Sequence, residues 1–306
     1  MGRLGNIMKK LGAYINGNYT VTIYDDGTKI RRTNDDEFIA SFPESFDCKI
    51  TNQCDLGCAM CHENSTIDGV HGDILNPKFI NTLKPYTEIA IGGGNPLAHP
   101  DLVEFLQKLK DRKVLASMTV NQTHFMKSLD TIRYLVDNKL INGVGVSLMT
   151  PSKEFVKTLK QFDNAVLHVI NGMLSKEDID KLKGNDLKIL ILGYKQFRRG
   201  INNYDKNSAD IEFKKSWLSE NLKEVLHMFK VVSFDNLAIE QLSVQSIVPT
   251  EEWDSFYMGD DGTKTLYIDL VNQKFASCSV SNQRYELMDN MDAMFKIILN
   301  EGGKKK

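Results

Sequence analysis

Hydrophobic and polar positions alternate strictly near the start of the chain. Residues 14–33 (YINGNYTVTIYDDGTKIRRT) alternate around Asp26-Gly27, a hairpin signal, and predict a β-hairpin within an N-terminal extension, residues 1–40. The pattern then changes to short Val/Ile/Leu-rich runs separated by amphipathic stretches. FDCKIT (46–51) reads as a strand, and 76–85 as a helix that opens on a proline and stops before another. TEIAIGGG (87–94) is a strand ending in glycines, and 101–113 carries Leu102, Phe105, Leu106 and Leu109 on one helical face. Further strands are expected at 114–120, 143–149, 165–170, 187–193 and 230–234, with helices at 126–138, 153–161, 174–183 and 211–229.

Apolar strands alternating with helices imply βαβ units and a parallel sheet. The expected fold is α/β: a partial (βα)6-type TIM-like barrel over 41–235, preceded by the hairpin. A small C-terminal α+β extension, 236–306, holds a hairpin at 265–278 and a helix near 286–299. In such barrels chemistry sits at the C-terminal ends of the strands. The cysteines after residue 51, Gly92-Gly93-Gly94, Asn121, Ser147 and Tyr194-Lys195 all fall there.

Composition narrows the classes. With 38 basic and 40 acidic residues in 306, the net charge of −2 gives no reason to expect a polyanion partner such as bulk nucleic acid. The Lys304-Lys305-Lys306 tail reads as a solvated end. No apolar run reaches membrane-spanning length, and MGRLGNIMKKLG lacks the apolar core of a signal peptide. Gly2 lacks the downstream hydroxyl of a myristoylation signal. A cytoplasmic location is therefore expected, where thiols stay reduced.

Five cysteines, an odd number, suit a disulfide framework poorly. Three of them lie in CDLGCAMC, as Cys54, Cys58 and Cys61. A structural zinc site would need a fourth ligand, and neither Cys48 nor Cys278 belongs to a pair. A dithiol redox pair, Cys58 with Cys61, would leave Cys54 unexplained. An iron–sulfur cluster normally takes four thiolates; three would leave one iron open to a small ligand. Three glycines at 92–94 allow close backbone approach to such a ligand.

C-x3-C-x2-C directly after the first strand of a βα barrel resembles the radical SAM (S-adenosylmethionine) superfamily, and IGGGNP (91–96) resembles its Gly-Gly-Glu-Pro turn, with Gly94 or Asn95 where the family usually has Glu. The resemblance covers roughly 45–235 and implies a [4Fe–4S] cluster on Cys54, Cys58 and Cys61, with SAM lined by Met60, Gly92, Gly93, Gly94, Asn95, Asn121, Ser147, His168 and Leu192. It implies an enzyme that cleaves SAM reductively to a 5′-deoxyadenosyl radical, an electron donor such as flavodoxin or ferredoxin, and hydrogen abstraction from a substrate. The hairpin ending at Cys278 resembles one found on peptide-modifying members, which suggests a peptide or protein substrate and a catalytic part for Cys278. The alternatives are a nucleotide or other small metabolite, favoured by the basic spot Lys195, Arg198 and Arg199, or a non-enzymatic iron–sulfur or zinc-binding module.

Overall fold

The computed structural model describes residues 8–302, so the expectations for Gly2 and for the Lys304–Lys306 tail lie outside the described residues. The alternating N-terminal segment forms three antiparallel strands rather than one hairpin: β1 (Lys10–Asn16), β2 (Tyr19–Tyr24) and β3 (Lys29–Arg32), paired in that order. Asp26-Gly27 turns β2 into β3 as expected. The additional strand arises because Gly17, at φ +59°, supplies a second tight turn.

Seven apolar runs become parallel strands lying side by side in chain order. They are β4 (Ser45–Thr51), β5 (Glu88–Gly93), β6 (Leu115–Asn121), β7 (Gly143–Ser147), β8 (Ala165–Ile170), β9 (Lys188–Leu192) and β10 (Val231–Phe234). The crossovers are α1 (Pro77–Thr82), α2 (Leu102–Asp111), α3 (Gln122–Lys127) with α4 (Leu129–Asp137), α5 (Lys153–Leu159), α6 (Lys176–Leu182) and α7 (Arg199–Leu226). The helix expected at 126–138 is broken at Ser128, whose backbone leaves the helical region, and the one expected at 211–229 begins twelve residues earlier, at Arg199. Along β4, Phe46, Cys48 and Ile50 enter the core under the helices, and Ser45, Asp47, Lys49 and Thr51 alternate onto the lumen face.

The chain continues through α8 (Asn236–Gln241), α9 (Thr250–Phe256), β11 (Thr265–Asp269), β12 (Lys274–Ala276), β13 (Tyr285–Glu286) and α10 (Met291–Gly302). β11 pairs parallel to β4 on the edge away from β5, giving one ten-stranded sheet in the order β10-β9-β8-β7-β6-β5-β4-β11-β12-β13. β10 and β13 end the order, so the barrel is open. Leu266, Ile268, Phe275 and Met294 join the same apolar core as the barrel strands.

β1–β3 cover the N-terminal ends of the barrel strands. Tyr19, Val21 and Ile23 pack with Phe295 of α10, and with Tyr86 and Leu115 at the strand starts. Arg31 pairs with Glu44 at 2.6 Å, and Lys29 bridges Glu44 and Glu88. The opposite end stays clear for loops. No helix among the described residues is long and apolar enough to cross a membrane.

Candidate active site at the carboxyl ends of the barrel strands

After Thr51 the chain leaves β4 and folds back on itself. The Cys54 amide donates to the Thr66 carbonyl at 2.8 Å, Asn52 to Val70 at 2.8 Å, and Gly72 to Ile50 at 2.8 Å. Gly57, at φ +59°, turns the chain between Cys54 and Cys58, and the Cys61 amide closes a turn on Cys58 at 3.2 Å. The three thiols are half-buried and free of disulfides. Burial raises the pKa of Cys54 and Cys58, and the Arg199 charge opposes that rise. Arg199 donates from Nη2 to the Ser65 carbonyl at 2.6 Å, and its Nε is buried with no partner. A spare donor beside three thiols suits a bound anionic group such as a thiolate-held cluster. Cys48 is 1% exposed in the helix-side core, and Cys278 lies elsewhere, so the loop offers three thiols and no fourth.

Cys54, Asp55 and His124 also place ligand atoms within 4.8 Å of one another. Asp55 and His124 are already spent on each other: the ring bonds the carboxylate at 2.6 Å and holds the Asp55 pKa low. That bond ties the cysteine loop to α3.

The three glycines divide into two kinds. A Cβ on Gly93, at φ +112°, would sit 2.4 Å from the Thr51 carbonyl oxygen, and one on Gly94 would sit 2.2 Å from that of Gln53. The amides of Gly94 and Asn95 donate to those carbonyls at 2.8 and 2.7 Å. Gly93 and Gly94 therefore clamp the base of the cysteine loop. Gly92 differs, because nothing lies within 4 Å of its missing Cβ, which leaves open space on the lumen face. This is the cradle a ligand can use.

A buried ionic network, which the sequence reading missed, fixes Glu63, two residues after Cys61. Lys49, 2% exposed, bonds Glu63 at 3.0 Å and Asp269 of β11 at 3.5 Å. Glu63 also accepts from Tyr267 at 3.2 Å and lies 3.7 Å from Arg198, which donates to its carbonyl at 2.8 Å. Burial would raise the Glu63 pKa, but the Lys49 charge and hydrogen bond and the Arg198 charge hold it low. His62 is neutral, its pKa lowered to about 3 by burial and the Lys195 charge. The basic spot thus serves the protein itself, with Lys195 donating to Ser279 at 2.9 Å. The available signal was Lys49 inside an apolar strand, where an unpaired lysine is almost never found.

The remaining candidates line the strand ends to different degrees. Met60 is half-buried within the cysteine loop, its carbonyl 3.7 Å from the place of a Gly200 Cβ. Ser147 and Leu192 end β7 and β9 half-buried, and His168 stands opposite Ser147 in register. The His168 ring fills the space above Gly145, whose Cβ would meet it at 2.4 Å, and burial lowers its pKa to about 4, leaving it neutral. Asn121 and Asn95 spend their side-chain oxygens on helix caps, accepting from Thr123 at 2.8 Å and from Leu97 at 3.2 Å. Cys278 is not at this end: it lines a cavity of about 290 Å³ with Ser45, Asp47, Ala90, Ser117 and Asp261.

Residues 48–181 match the family model of the Radical SAM superfamily. This stretch, somewhat less than half of the chain, is similar to a radical SAM domain. The family uses a [4Fe–4S] cluster and SAM, which agrees with a loop of three thiols and the open Gly92 position. The chain is similar to proteins named "Probable GTP 3′,8-cyclase" from Methanocaldococcus jannaschii (30% identity over 151 residues, 46% of this chain and 49% of that one) and Pyrococcus horikoshii (26% over 134 residues, 40% of each). It spans about half the length, or less, of these curated relatives. Among solved structures it is similar to Streptococcus suis SuiB bound to the precursor peptide SuiA, with a TM-score of 0.57 and 18% identity over 85% of this chain and 65% of that one. SuiB bound to S-adenosylmethionine matches with a TM-score of 0.55 and 17% identity over 81% and 64%. At such identities the likeness concerns the fold.

Proposed function

We propose that this protein is a radical SAM enzyme that abstracts hydrogen from a peptide or protein substrate. The observation that carries the reading is a half-buried loop of three thiols beside an open glycine position at the mouth of a parallel barrel. Cys54, Cys58 and Cys61 would hold the cluster, and Met60, Gly92, Ser147, His168 and Leu192 would line the space for SAM, with Gly93, Gly94, Asn95 and Asn121 fixing the turns around it. When bound, cluster and SAM supply one-electron cleavage of the sulfonium, which yields methionine and a 5′-deoxyadenosyl radical able to take a substrate hydrogen. The chain positions the thiols through the Glu63 network and the glycine clamp. A flavodoxin- or ferredoxin-type donor is the expected reductant.

A peptide substrate is supported by the extent of the fold likeness. The fold likeness to SuiB, which was solved with its precursor peptide, covers 85% of this chain and so reaches beyond the barrel. Cys278 lines the lumen cavity, where it would face a substrate and return a hydrogen atom to it. A nucleotide substrate is the second reading, favoured by the cyclase names. Anaerobically reconstituted protein is expected to hold about four irons and to release 5′-deoxyadenosine on reduction with dithionite, both lost in Cys58→Ala. Tightly bound zinc without SAM cleavage would overturn the reading.

A further inference from the structure

α7 begins against the cysteine loop. Arg198 donates to the Glu63 carbonyl at 2.8 Å, and Arg199 donates from Nη2 to the Ser65 carbonyl at 2.6 Å. The Met60 carbonyl oxygen lies 3.7 Å from where a Gly200 Cβ would stand. Three consecutive residues therefore meet the chain on both sides of Cys61. The backbone is strained at this point: Arg198 sits at φ +51° and ψ −121°, which a non-glycine residue rarely adopts. Strain of this kind persists only where the surroundings impose it, and here its result is to bring Arg199 to the loop.

The two arginines are used differently. Arg198 has a counter-charge in Glu63, 3.7 Å away. Arg199 forms no ion pair with any described residue, and the acidic side chains flanking the cysteines are engaged elsewhere, Asp55 with His124 at 2.6 Å and Glu63 with Lys49 at 3.0 Å. The one hydrogen bond of Arg199 goes to a neutral carbonyl, and its Nε is buried with no partner. A buried donor on a charged group is costly to leave unpaired. The Arg199 charge reaches both Cys54 and Cys58. Three thiolates bring more negative charge than an oxidised [4Fe–4S] core neutralises, so the loop's bound group is an anion whose charge grows on reduction.

We propose that Arg199 is a positioning residue for the cluster: anchored through Nη2 on Ser65, it turns its free Nε–H and its charge toward the thiolate-held group and makes one-electron reduction easier. This rests on the radical SAM reading above and deepens it. The electron comes from the flavodoxin- or ferredoxin-type donor; no bond to Arg199 forms or breaks, and its guanidinium keeps its proton throughout. A fixed positive charge favours the state that carries the extra electron, and hydrogen bonds to cluster sulfurs also set the potential. Lysine at this position would keep the charge without the planar fork, and glutamine would keep a donor without the charge.

The test is a potentiometric titration of the anaerobically reconstituted full chain, followed by electron paramagnetic resonance of the reduced cluster. Arg199→Gln should shift the midpoint potential to more negative values by roughly a tenfold loss in the reduction equilibrium, about 59 mV for one electron. Arg199→Lys should recover most of that shift. An unchanged potential in Arg199→Gln overturns the proposal. So does an equal shift in Arg199→Lys, because loss of the Ser65 anchor alone would then explain both. Should Arg199→Gln fail to fold by circular dichroism or to retain iron, the lysine variant decides: iron held at the unaltered potential supports the proposal, and iron lost in both variants overturns it. Iron content and SAM cleavage are read separately on the unaltered protein. Absence of a cluster there removes the radical SAM reading and the proposal with it, whereas a cluster whose potential ignores Arg199 removes the proposal alone.

Discussion

Lys49 is a lysine 2% exposed within an apolar strand, neutralised by Glu63 and Asp269. Replacing it by Met would leave Glu63 buried against Tyr267 with only Arg198, 3.7 Å away, as a counter-charge. Removing one partner of a buried pair typically costs about 3–5 kcal/mol, so urea unfolding of Lys49→Met should show a loss of that order. Unchanged stability would mean that Glu63 is held otherwise. The glycines allow a sharper comparison. Gly93→Ala forces a side chain onto the Thr51 carbonyl at φ +112° and should destabilise by about 1–3 kcal/mol, whereas Gly92→Ala, facing open space, should leave the melting temperature nearly unchanged while weakening SAM binding in calorimetry. Sequence inspection could find three glycines; it had no means of telling that two of them meet backbone and one meets space.

Beside its apolar contacts, the N-terminal sheet is tied to the barrel by ion pairs on Glu44, whose side chain is fully buried. Burial pushes its pKa up, but the Arg31 hydrogen bonds, Lys29 and Tyr19 bring it below the ordinary value of 4.5. A depressed carboxylate contributes stability above its unfolded pKa and loses that contribution as pH falls through the folded one. The attachment should therefore hold at neutral pH and weaken below about pH 4.5. Glu44→Gln should lower thermal stability at pH 7 and flatten the acid limb of the melting-temperature profile. A profile that keeps its slope would assign acid sensitivity elsewhere. At this scale the barrel strands were legible because both faces are covered, which writes them as continuous apolar runs. The early start of α7 was not, since its first turns are polar and are held by contacts to the cysteine loop, with Arg198 on Glu63 and Arg199 on Ser65.

Phe295 connects all parts of the molecule. It lies on α10, has no exposure, and packs into the cluster of Tyr19, Val21 and Ile23, with Leu115 of the barrel alongside. Phe295→Ala should cost about 3–5 kcal/mol. If the N-terminal sheet, the barrel and α10 form one cooperative unit, tryptophan fluorescence and far-UV circular dichroism should still report a single, earlier transition. Two separated transitions would show that the terminal elements unfold independently. The order of β11 beside β4 explains the coupling, since the last third of the chain completes the edge of the first barrel strand.

The sequence by itself determined the barrel class, the order of its crossovers and the three-thiol loop, because apolar periodicity and cysteine spacing are local and survive in one dimension. Only the tertiary structure decided that β11 extends the sheet, that Glu63 anchors the loop and that the basic spot bonds to the protein's own groups. Those facts depend on which residues far apart in the chain share a face, and pairing energies between buried charges are set by that geometry and not by residue type.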